Sequence, residues 1–152
     1  MPSRRDQITM TDEEAEAFLA EQMVMQCATI GPSGRPHMVA LWYVPDGIEL
    51  RSWTYAKSQK AKNLERDPRA TIGVEDGVQY HELRGVMLEC DVRVEREAER
   101  VVEYGFGLVD RYAGGAEAAR EAFREQARKR VGLHFVPTRV VSWDHRKLGG
   151  SY

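Results

Sequence analysis

The sequence predicts an α+β fold, mainly β, in which antiparallel strands close into a barrel with helices at its flanks. Two observations lead to this prediction. Short apolar runs follow one another along the chain, and tight turn signals such as Asp46-Gly47 and Asp76-Gly77 separate them. Strands joined by such turns pair antiparallel, and closing the sheet into a barrel removes its exposed edges.

The length, the net charge and the apolar runs of the chain limit the classes of function. The 152 residues suit a single domain, which we expect to cover residues 1–152. A net charge of −2 argues against a general nucleic-acid-binding protein, which usually carries a basic surplus. No apolar run approaches the roughly 20 residues of a membrane span, and residues 1–10 lack the apolar stretch of a secretory signal. We therefore expect a cytoplasmic protein that binds neither membranes nor nucleic acid.

The two cysteines, Cys27 and Cys90, lie within apolar, strand-like runs. Free cysteines in such runs are usually buried and behave as small apolar side chains. Neither their spacing nor their neighbours fit a metal-ligand set or a disulfide framework. We expect two buried thiols and no metal site.

The first half of the chain predicts one helix followed by three strands. The helix covers residues 11–21, and its first turn carries Thr11 and Glu14 at the spacing of a capping box. The three runs with the apolar character of strands are residues 25–30, 36–44 and 48–53. Clusters of glycine, proline and aspartate separate these runs, so we expect hairpins between them.

The second half predicts a short basic helix, two strands, a helical insert and a last strand. The basic helix covers residues 58–66, and Pro68 prevents its continuation. The next strands are predicted at residues 69–75 and 83–94. Helices at residues 95–112 and 116–130 form an insert over about 97–130, interrupted by Ala113-Gly114-Gly115. The last strand is predicted at residues 133–143, with Pro137 at an edge position or a bulge.

The stretch from residue 52 to residue 64 carries the strongest chemical signal, because it runs from a strand end through a loop into a helix start. A helix N-terminus offers free backbone N–H groups and a positive dipole end, which suit an anion. Lys57, Ser58 and Lys60 add positive charge and a hydroxyl at the same place. We therefore expect a phosphate-binding site here. A capped, solvated helix with ordinary surface lysines is the alternative interpretation of the same residues.

A series of short motifs makes the chain resemble a known family. The motifs are Gly34-Arg35-Pro36 in a hairpin turn, the strand Val39-Ala40-Leu41-Trp42-Tyr43-Val44, Trp53-Thr54, Ser58-Gln59-Lys60, Asn63-Leu64, Asp67-Pro68-Arg69-Ala70-Thr71-Ile72, Arg84-Gly85-Val86 and Trp143-Asp144. With them, residues 25–95 resemble the pyridoxamine 5'-phosphate oxidase-like split-barrel superfamily. The subgroup that the chain resembles most is the flavin- and deazaflavin (F420)-dependent oxidoreductases.

The resemblance implies a fold, a cofactor and an assembly. The fold is a split β-barrel of the FMN-binding type, with antiparallel strands in a Greek-key arrangement. The cofactor is F420, or alternatively FMN, and it lies at the interface of a homodimer. The activity is hydride transfer to a small conjugated organic substrate, in which the cofactor carries the hydride and the protein positions it.

The resemblance also implies cofactor-binding residues in three segments. The second strand would line the ring with Val39, Ala40, Leu41 and Trp42. The third strand and the basic helix would hold the ribityl chain and phosphate with Trp53, Thr54, Lys57, Ser58, Gln59 and Lys60. Beside the ring would lie Arg84, Gly85 and, across the dimer interface, Trp143. No catalytic residue is predicted; the candidate proton donors are His37, His81, Tyr55 and Tyr80.

The chain departs from pyridoxamine 5'-phosphate oxidases proper, so we do not expect oxidation of pyridoxamine phosphate. Those enzymes carry a basic residue at the start of the second strand and a lysine at its end, where this chain has His37 and Trp42. Their C-terminal arginines are matched only loosely by Arg146 and Lys147. Two further interpretations remain: a non-catalytic cofactor- or haem-binding protein, with His134 or His145 as axial ligand, and a purely structural dimer.

Overall fold

The structure is a computed structural model that describes residues 1–150. Within those residues the strands are β1 (Met25–Ile30), β2 (Pro36–Leu41), β3 (Val44–Asp46), β4 (Glu49–Tyr55), β5 (Arg69–Asp76), β6 (Arg84–Glu95) and β7 (Arg130–Asp144). The α-helices are α1 (Arg4–Ile8), α2 (Asp12–Glu21), α3 (Gln59–Arg66), α4 (Ala98–Tyr112) and α5 (Glu117–Gln126). Short 3-10 helices cover Tyr80–Glu82, Ala127–Lys129 and His145–Leu148.

All strands join one antiparallel sheet in the order β2-β1-β5-β6-β7-β4-β3. The sheet curls until its two ends meet, where the Ser52 hydroxyl of β4 donates a 2.7 Å hydrogen bond to the Trp42 carbonyl just after β2. Beyond that point β2 and β4 do not pair, and we call the opening between them the split. This architecture confirms the predicted mainly β split barrel.

Helix α3 bridges the split from β1 to β4. Asn63, which is fully buried, donates a 3.0 Å hydrogen bond to the Thr29 hydroxyl on β1. At the other end of the helix, the Lys60 ammonium donates a 2.8 Å hydrogen bond to the Thr54 hydroxyl on β4. Asp67 ends the helix in extended backbone before Pro68, as predicted. The bridge sets the N-terminus of α3 at the mouth of the split.

The predicted strand over residues 36–44 is wrong in one respect, because the backbone breaks at Trp42 and Tyr43. β2 pairs with β1, whereas β3 pairs with β4 as the predicted hairpin. The break follows from contacts of Tyr43 with helices. Its hydroxyl donates to the Leu19 carbonyl at 2.6 Å, and its backbone N–H donates to the Tyr112 hydroxyl at 3.0 Å. The Tyr112 hydroxyl thus satisfies a backbone N–H that a continuous strand would pair within the sheet, and the Tyr43 hydroxyl anchors the break to α2.

The insert ends earlier than the sequence predicts. α5 stops at Gln126, a 3-10 turn follows, and β7 already begins at Arg130. The cause is pairing with β4, since Arg130 lies opposite Tyr55 and Val131 opposite Thr54 in the ladder. Further along, β7 has one extra residue, Thr138, beside Pro137, which confirms the predicted bulge.

The core divides into two clusters. The larger fills the barrel; its fully buried members include Met25, Leu50, Ile72, Leu88 and Phe135. The smaller lies between the sheet and the insert and is centred on Trp53. Cys27 and Cys90 are both buried as predicted, and burial raises the pKa of each thiol to about 12. Among residues 1–150, no helix has both the length and the apolar character required to cross a membrane.

Candidate functional site

The start of α3 gathers three polar side chains at the mouth of the split. Ser58 is the N-cap, and its hydroxyl accepts a 3.2 Å hydrogen bond from the Ala61 N–H. The Thr54 hydroxyl lies 3.2 Å from the Ser58 hydroxyl and accepts a 2.8 Å bond from the Lys60 ammonium. The sequence folds this way because β4 ends at Tyr55 and a two-residue turn places Ser58 at the cap. Two hydroxyls and one ammonium therefore converge beside the free N–H groups of a first helical turn.

The Lys60 ammonium is partly buried, and no carboxylate in the described part of the chain pairs with it. Desolvation by burial lowers the pKa of Lys60, and the positive charge of Arg130 lowers it further, against an opposing effect from Cys27. A cation removed from water without a counter-ion is unfavourable in the absence of a compensating partner. An anion bound at the start of α3 would neutralise the Lys60 ammonium.

Arg130 is a second cation that the sequence-based prediction missed. Its guanidinium lies 4.1 Å from the ring centroid of Tyr55 and 4.7 Å from that of Trp53, and it donates a 3.1 Å bond to Gln126. Its Nε atom is buried and has no hydrogen-bond partner within residues 1–150. A usable signal was present: Val131, Leu133 and Phe135 alternate as in a strand, which sets Arg130 on the opposite face.

The predicted ring-lining residues follow β2 along the edge of the split. β2 pairs only with β1, so alternate backbone N–H and C=O groups of this edge strand face the split. Val39 and Leu41 point inward and are partly buried, whereas Ala40 is exposed. The Trp42 ring is half exposed and stacks on Tyr112 of the insert at 4.3 Å with an interplanar angle of 7°. Such an edge can hydrogen-bond the polar rim of a planar heterocycle.

The other predicted residues of β4 and α3 take different positions. Trp53 is only 6% exposed and stacks on Phe123 at 5.1 Å, so its side chain belongs to the core beneath the insert. Any contact of Trp53 with a cofactor would come from its main chain. Lys57 and Gln59 are exposed at the mouth of the split, and Gln59 donates a 2.8 Å bond to Asn63.

The remaining predicted residues form a separate group around Gly85. A Cβ atom added to Gly85 would lie 2.7 Å from Trp143 Cε2 and 2.9 Å from the Val74 carbonyl, so only glycine leaves room for the indole. The Arg84 guanidinium is held by Asp76 at 2.8 Å and by Glu21 at 3.1 Å. Arg84, Gly85 and Trp143 therefore form one contiguous patch.

Within one chain the two groups lie at opposite ends of β7. Val131 pairs with Thr54 of the first group, whereas Trp143 pairs with Gly85 of the second. The two β7 residues are twelve positions apart, a strand contour of roughly 40 Å. The structure thus brings together the predicted residues of β2, β4 and α3 and keeps the group of Gly85 apart from them.

Comparison with known proteins identifies the family. The family model described as pyridoxamine 5'-phosphate oxidase matches residues 11–144. The chain belongs to this family. Its match covers every residue of both groups and both ends of the split.

Three relatives within or near the pyridoxamine 5'-phosphate oxidase family are informative. An F420H2-dependent biliverdin reductase of Mycobacterium tuberculosis (strain CDC 1551 / Oshkosh) is 31% identical over 94 residues, which are 60% of this chain and 69% of the relative. A conserved hypothetical protein of the same species has a solved structure with a TM-score of 0.90 and 39% identity, covering 99% of this chain and 95% of its own. An F420 reductase structure, at a TM-score of 0.63 and 24% identity over 82% and 94% of the chains, shares the fold.

The histidines of this family member lie mostly outside the split. His134 lines a cavity of about 680 Å³ between the sheet and α4, and its Nε2 atom lies 3.0 Å from a Glu49 carboxylate oxygen. His145 stands edge-on to the Tyr80 ring at 4.9 Å. His37 lies on β2 beside the split, and its Nδ1 atom is buried with no hydrogen-bond partner in the part of the chain that the structure describes. Within residues 1–150, no group of three or more His, Cys, Asp or Glu side chains has a metal-binding arrangement.

Proposed function

We propose that this chain is an oxidoreductase that binds F420 in the split and transfers a hydride to a small conjugated organic substrate. The observation that carries the proposal is the Lys60 ammonium, which lies 2.8 Å from the Thr54 hydroxyl at the start of α3 and has no carboxylate partner among the described residues. A phosphate beside Lys60 would neutralise the ammonium and accept hydrogen bonds from Thr54, Ser58 and the first-turn N–H groups.

The protein's part in this function is to bind and orient. Thr54, Ser58 and Lys60 would anchor the phosphate end of the cofactor, and the free edge of β2 would hold the polar rim of the ring. The half-exposed Trp42 closes the same side of the split. The cofactor, when bound, supplies the hydride. No side chain of the described split is assigned as proton donor, and His37 and Tyr55 remain the candidates beside it.

F420 is proposed ahead of FMN because a 31% identical relative is an F420H2-dependent biliverdin reductase. The hydroxyls and the ammonium at the start of α3 suit the phosphate of either cofactor. Biliverdin is therefore the first substrate to test with reduced F420, followed by enones and quinones.

Parallel titrations of the purified protein with F420 and FMN, followed by tryptophan fluorescence, test the proposal. We expect Lys60→Gln to lower the affinity for the preferred cofactor by about 10- to 100-fold, the effect of losing a charged hydrogen bond. Lys62→Gln is the control, because Lys62 is exposed on the same helix. If the protein binds FMN more tightly than F420, it is an FMN-dependent enzyme and the F420 assignment is wrong.

Absence of binding by either cofactor would refute the oxidoreductase proposal. A Soret band on haem titration that is lost in His134→Ala would then favour the haem-binding alternative. In this structure His134 Nε2 is already engaged with Glu49, so the described geometry lends that alternative no specific support.

We further propose that the functional unit is a homodimer with the cofactor between subunits. The two groups of predicted residues lie at opposite ends of β7, so Trp143 of the partner subunit is the natural complement to Lys60 and β2 of the first. Sedimentation tests the dimer. Mixing Lys60→Gln with Trp143→Ala chains tests the shared site, because only the mixed dimer carries one intact site and regains binding at half stoichiometry. A monomer, or mixing without recovery, would refute the shared site.

A further inference from the structure

Resting on the proposed function, we propose that Arg130 is a second anion-binding side chain of the split. Together, Arg130 and Lys60 make the site selective for ligands that place two negative charges at the start of α3. Neither the family match nor the sequence motifs assign Arg130 a role. The assignment rests on its position, its fixed guanidinium and its missing counter-ion.

Arg130 lies where the end of the insert meets the loop that leads into α3. Arg130 is the first residue of β7 and lies opposite Tyr55, the last residue of β4. Next to it, the Ala56 N–H donates a 2.9 Å hydrogen bond to the Lys129 carbonyl. The loop that leads into Ser58 is therefore fastened to the residue that precedes Arg130. An anion at the start of α3 lies at the same edge of the sheet as the guanidinium.

The guanidinium is held in place before any ligand arrives. Tyr55 and Trp53 rings lie 4.1 and 4.7 Å from it, and Gln126 accepts one of its N–H bonds at 3.1 Å. Aromatic rings attract a cation without neutralising it. Because the side chain is already ordered, little conformational entropy remains to be lost when it binds an anion.

Arg130 differs from most arginines of the chain in its charge balance. Arg51, Arg69, Arg84, Arg96, Arg100, Arg120, Arg128, Arg139 and Arg146 each contact a carboxylate. Arg130 contacts none in the described chain, and its Nε atom is buried without an acceptor. Its charge also acts on Lys60, which has no carboxylate either. Two neighbouring cations without counter-ions repel each other until an anion lies between or beside them.

Two cations match a ligand with two nearby negative charges better than one with a single charge. A terminal phosphate such as that of FMN carries about −1.5 to −2 at neutral pH. The phosphodiester of F420 carries one charge and is followed by carboxylates, which supply the second. The class of ligand is therefore a flavin-type cofactor with a dianionic tail.

Ligand pairs that share a ring but differ in phosphate test this role. FMN is compared with riboflavin, and F420 with its phosphate-free deazaflavin, on wild type, Arg130→Gln, Arg130→Lys and Arg128→Gln. We expect Arg130→Gln to weaken the phosphorylated ligand by about tenfold or more and the phosphate-free ring by less than about twofold. Arg130→Lys keeps the charge and recovers part of the affinity. Arg128→Gln is the matched control, because that side chain is 77% exposed two residues away.

Equal losses for both ligands of a pair would show that Arg130 only supports the fold and would overturn the proposal, as would no loss for either. Thermal unfolding with pyrophosphate separates this outcome from failure of the flavin function. If no flavin binds but pyrophosphate raises the melting temperature of wild type and not of Arg130→Gln, the anion site stands and the flavin function falls. If pyrophosphate stabilises both proteins equally, or neither, while no flavin binds, Arg130 is not an anion-binding residue.

Discussion

A local sequence pattern was sufficient to predict Lys60 as a site residue but not Arg130. Ser58 and Lys60 were predicted as site residues because the capping serine and basic helix start are contiguous in sequence. Arg130 was missed because the helical pattern from residue 116 runs up to it without a break. Its true neighbours are set by pairing with Tyr55, seventy-five positions earlier in the chain. The alternation of Val131, Leu133 and Phe135 indicates the strand, but it does not show that Tyr55 is the residue opposite Arg130.

Replacing Lys60 with methionine should stabilise the ligand-free protein. The folded-state pKa of Lys60 lies below its ordinary value of 10.5, first because of desolvation. At pH values between the folded-state pKa and 10.5, the unfolded chain binds more protons than the folded chain, so the contribution of Lys60 to stability rises with pH. Below the folded-state pKa, Lys60 is charged in both states, and its contribution to stability is least favourable. Urea denaturation should therefore show a larger free energy of unfolding for Lys60→Met than for wild type at neutral pH. This difference between variant and wild type should become smaller at alkaline pH, where Lys60 of the wild type loses its charge. Lys62→Met, at an exposed position, should change neither quantity.

The insert is the element that the sequence describes least well. Its two helices were predicted, and so was the glycine interruption between them. Its contacts were not: Arg111 and Tyr112 at the end of α4 reach back to the break after β2. The Tyr112 hydroxyl bonds the Met23 carbonyl at 2.7 Å, and its ring supports Trp42. The backbone break at Trp42 therefore depends on residues about seventy positions later, which no strand-period pattern contains.

Two glycines on α4 provide a matched test of how the insert packs. A Cβ atom on Gly105 would lie 2.5 Å from Trp53 Cζ3, whereas one on Gly107 would lie 3.5 Å from Val44 Cγ2. Gly105→Ala should lower the free energy of unfolding by about 1–3 kcal/mol through overpacking against a buried indole. Gly107→Ala should raise it by up to about 1 kcal/mol, because alanine favours the helix. Chemical denaturation measures both, and a stabilised Gly105→Ala would contradict the described packing of Trp53.

For the whole molecule, the motif series was sufficient to predict the split barrel and the family. Successive hairpins and the order of elements limit the topology strongly, and the family match over residues 11–144 agrees with them. What one chain leaves open is how its two groups of predicted residues meet. Thr54 and Gly85 pair with opposite ends of β7, and the homodimer proposed above would bring the two groups together across its interface.

Cofactor affinity should therefore depend on protein concentration. If the site is shared between subunits, dilution below the dimer dissociation constant removes half of each site, and the apparent affinity falls. By the same linkage, cofactor should shift the sedimentation profile toward dimer. Fluorescence titrations at a series of protein concentrations measure the first effect. An affinity that stays constant while the protein is demonstrably monomeric would contradict the shared site.

The Arg111 side chain has a consequence for how the molecule opens. It donates to the carbonyls of Gln22 at 2.6 Å, Ala20 at 3.0 Å and Leu19 at 3.3 Å, which end α2. A helix terminus whose carbonyls lose these partners frays. We therefore expect α2 and α4 to open together and their amide hydrogens to exchange at a common rate. We expect a protease cut at the Ala113-Gly114-Gly115 turn to loosen the end of α2, which lies about ninety residues earlier in the chain.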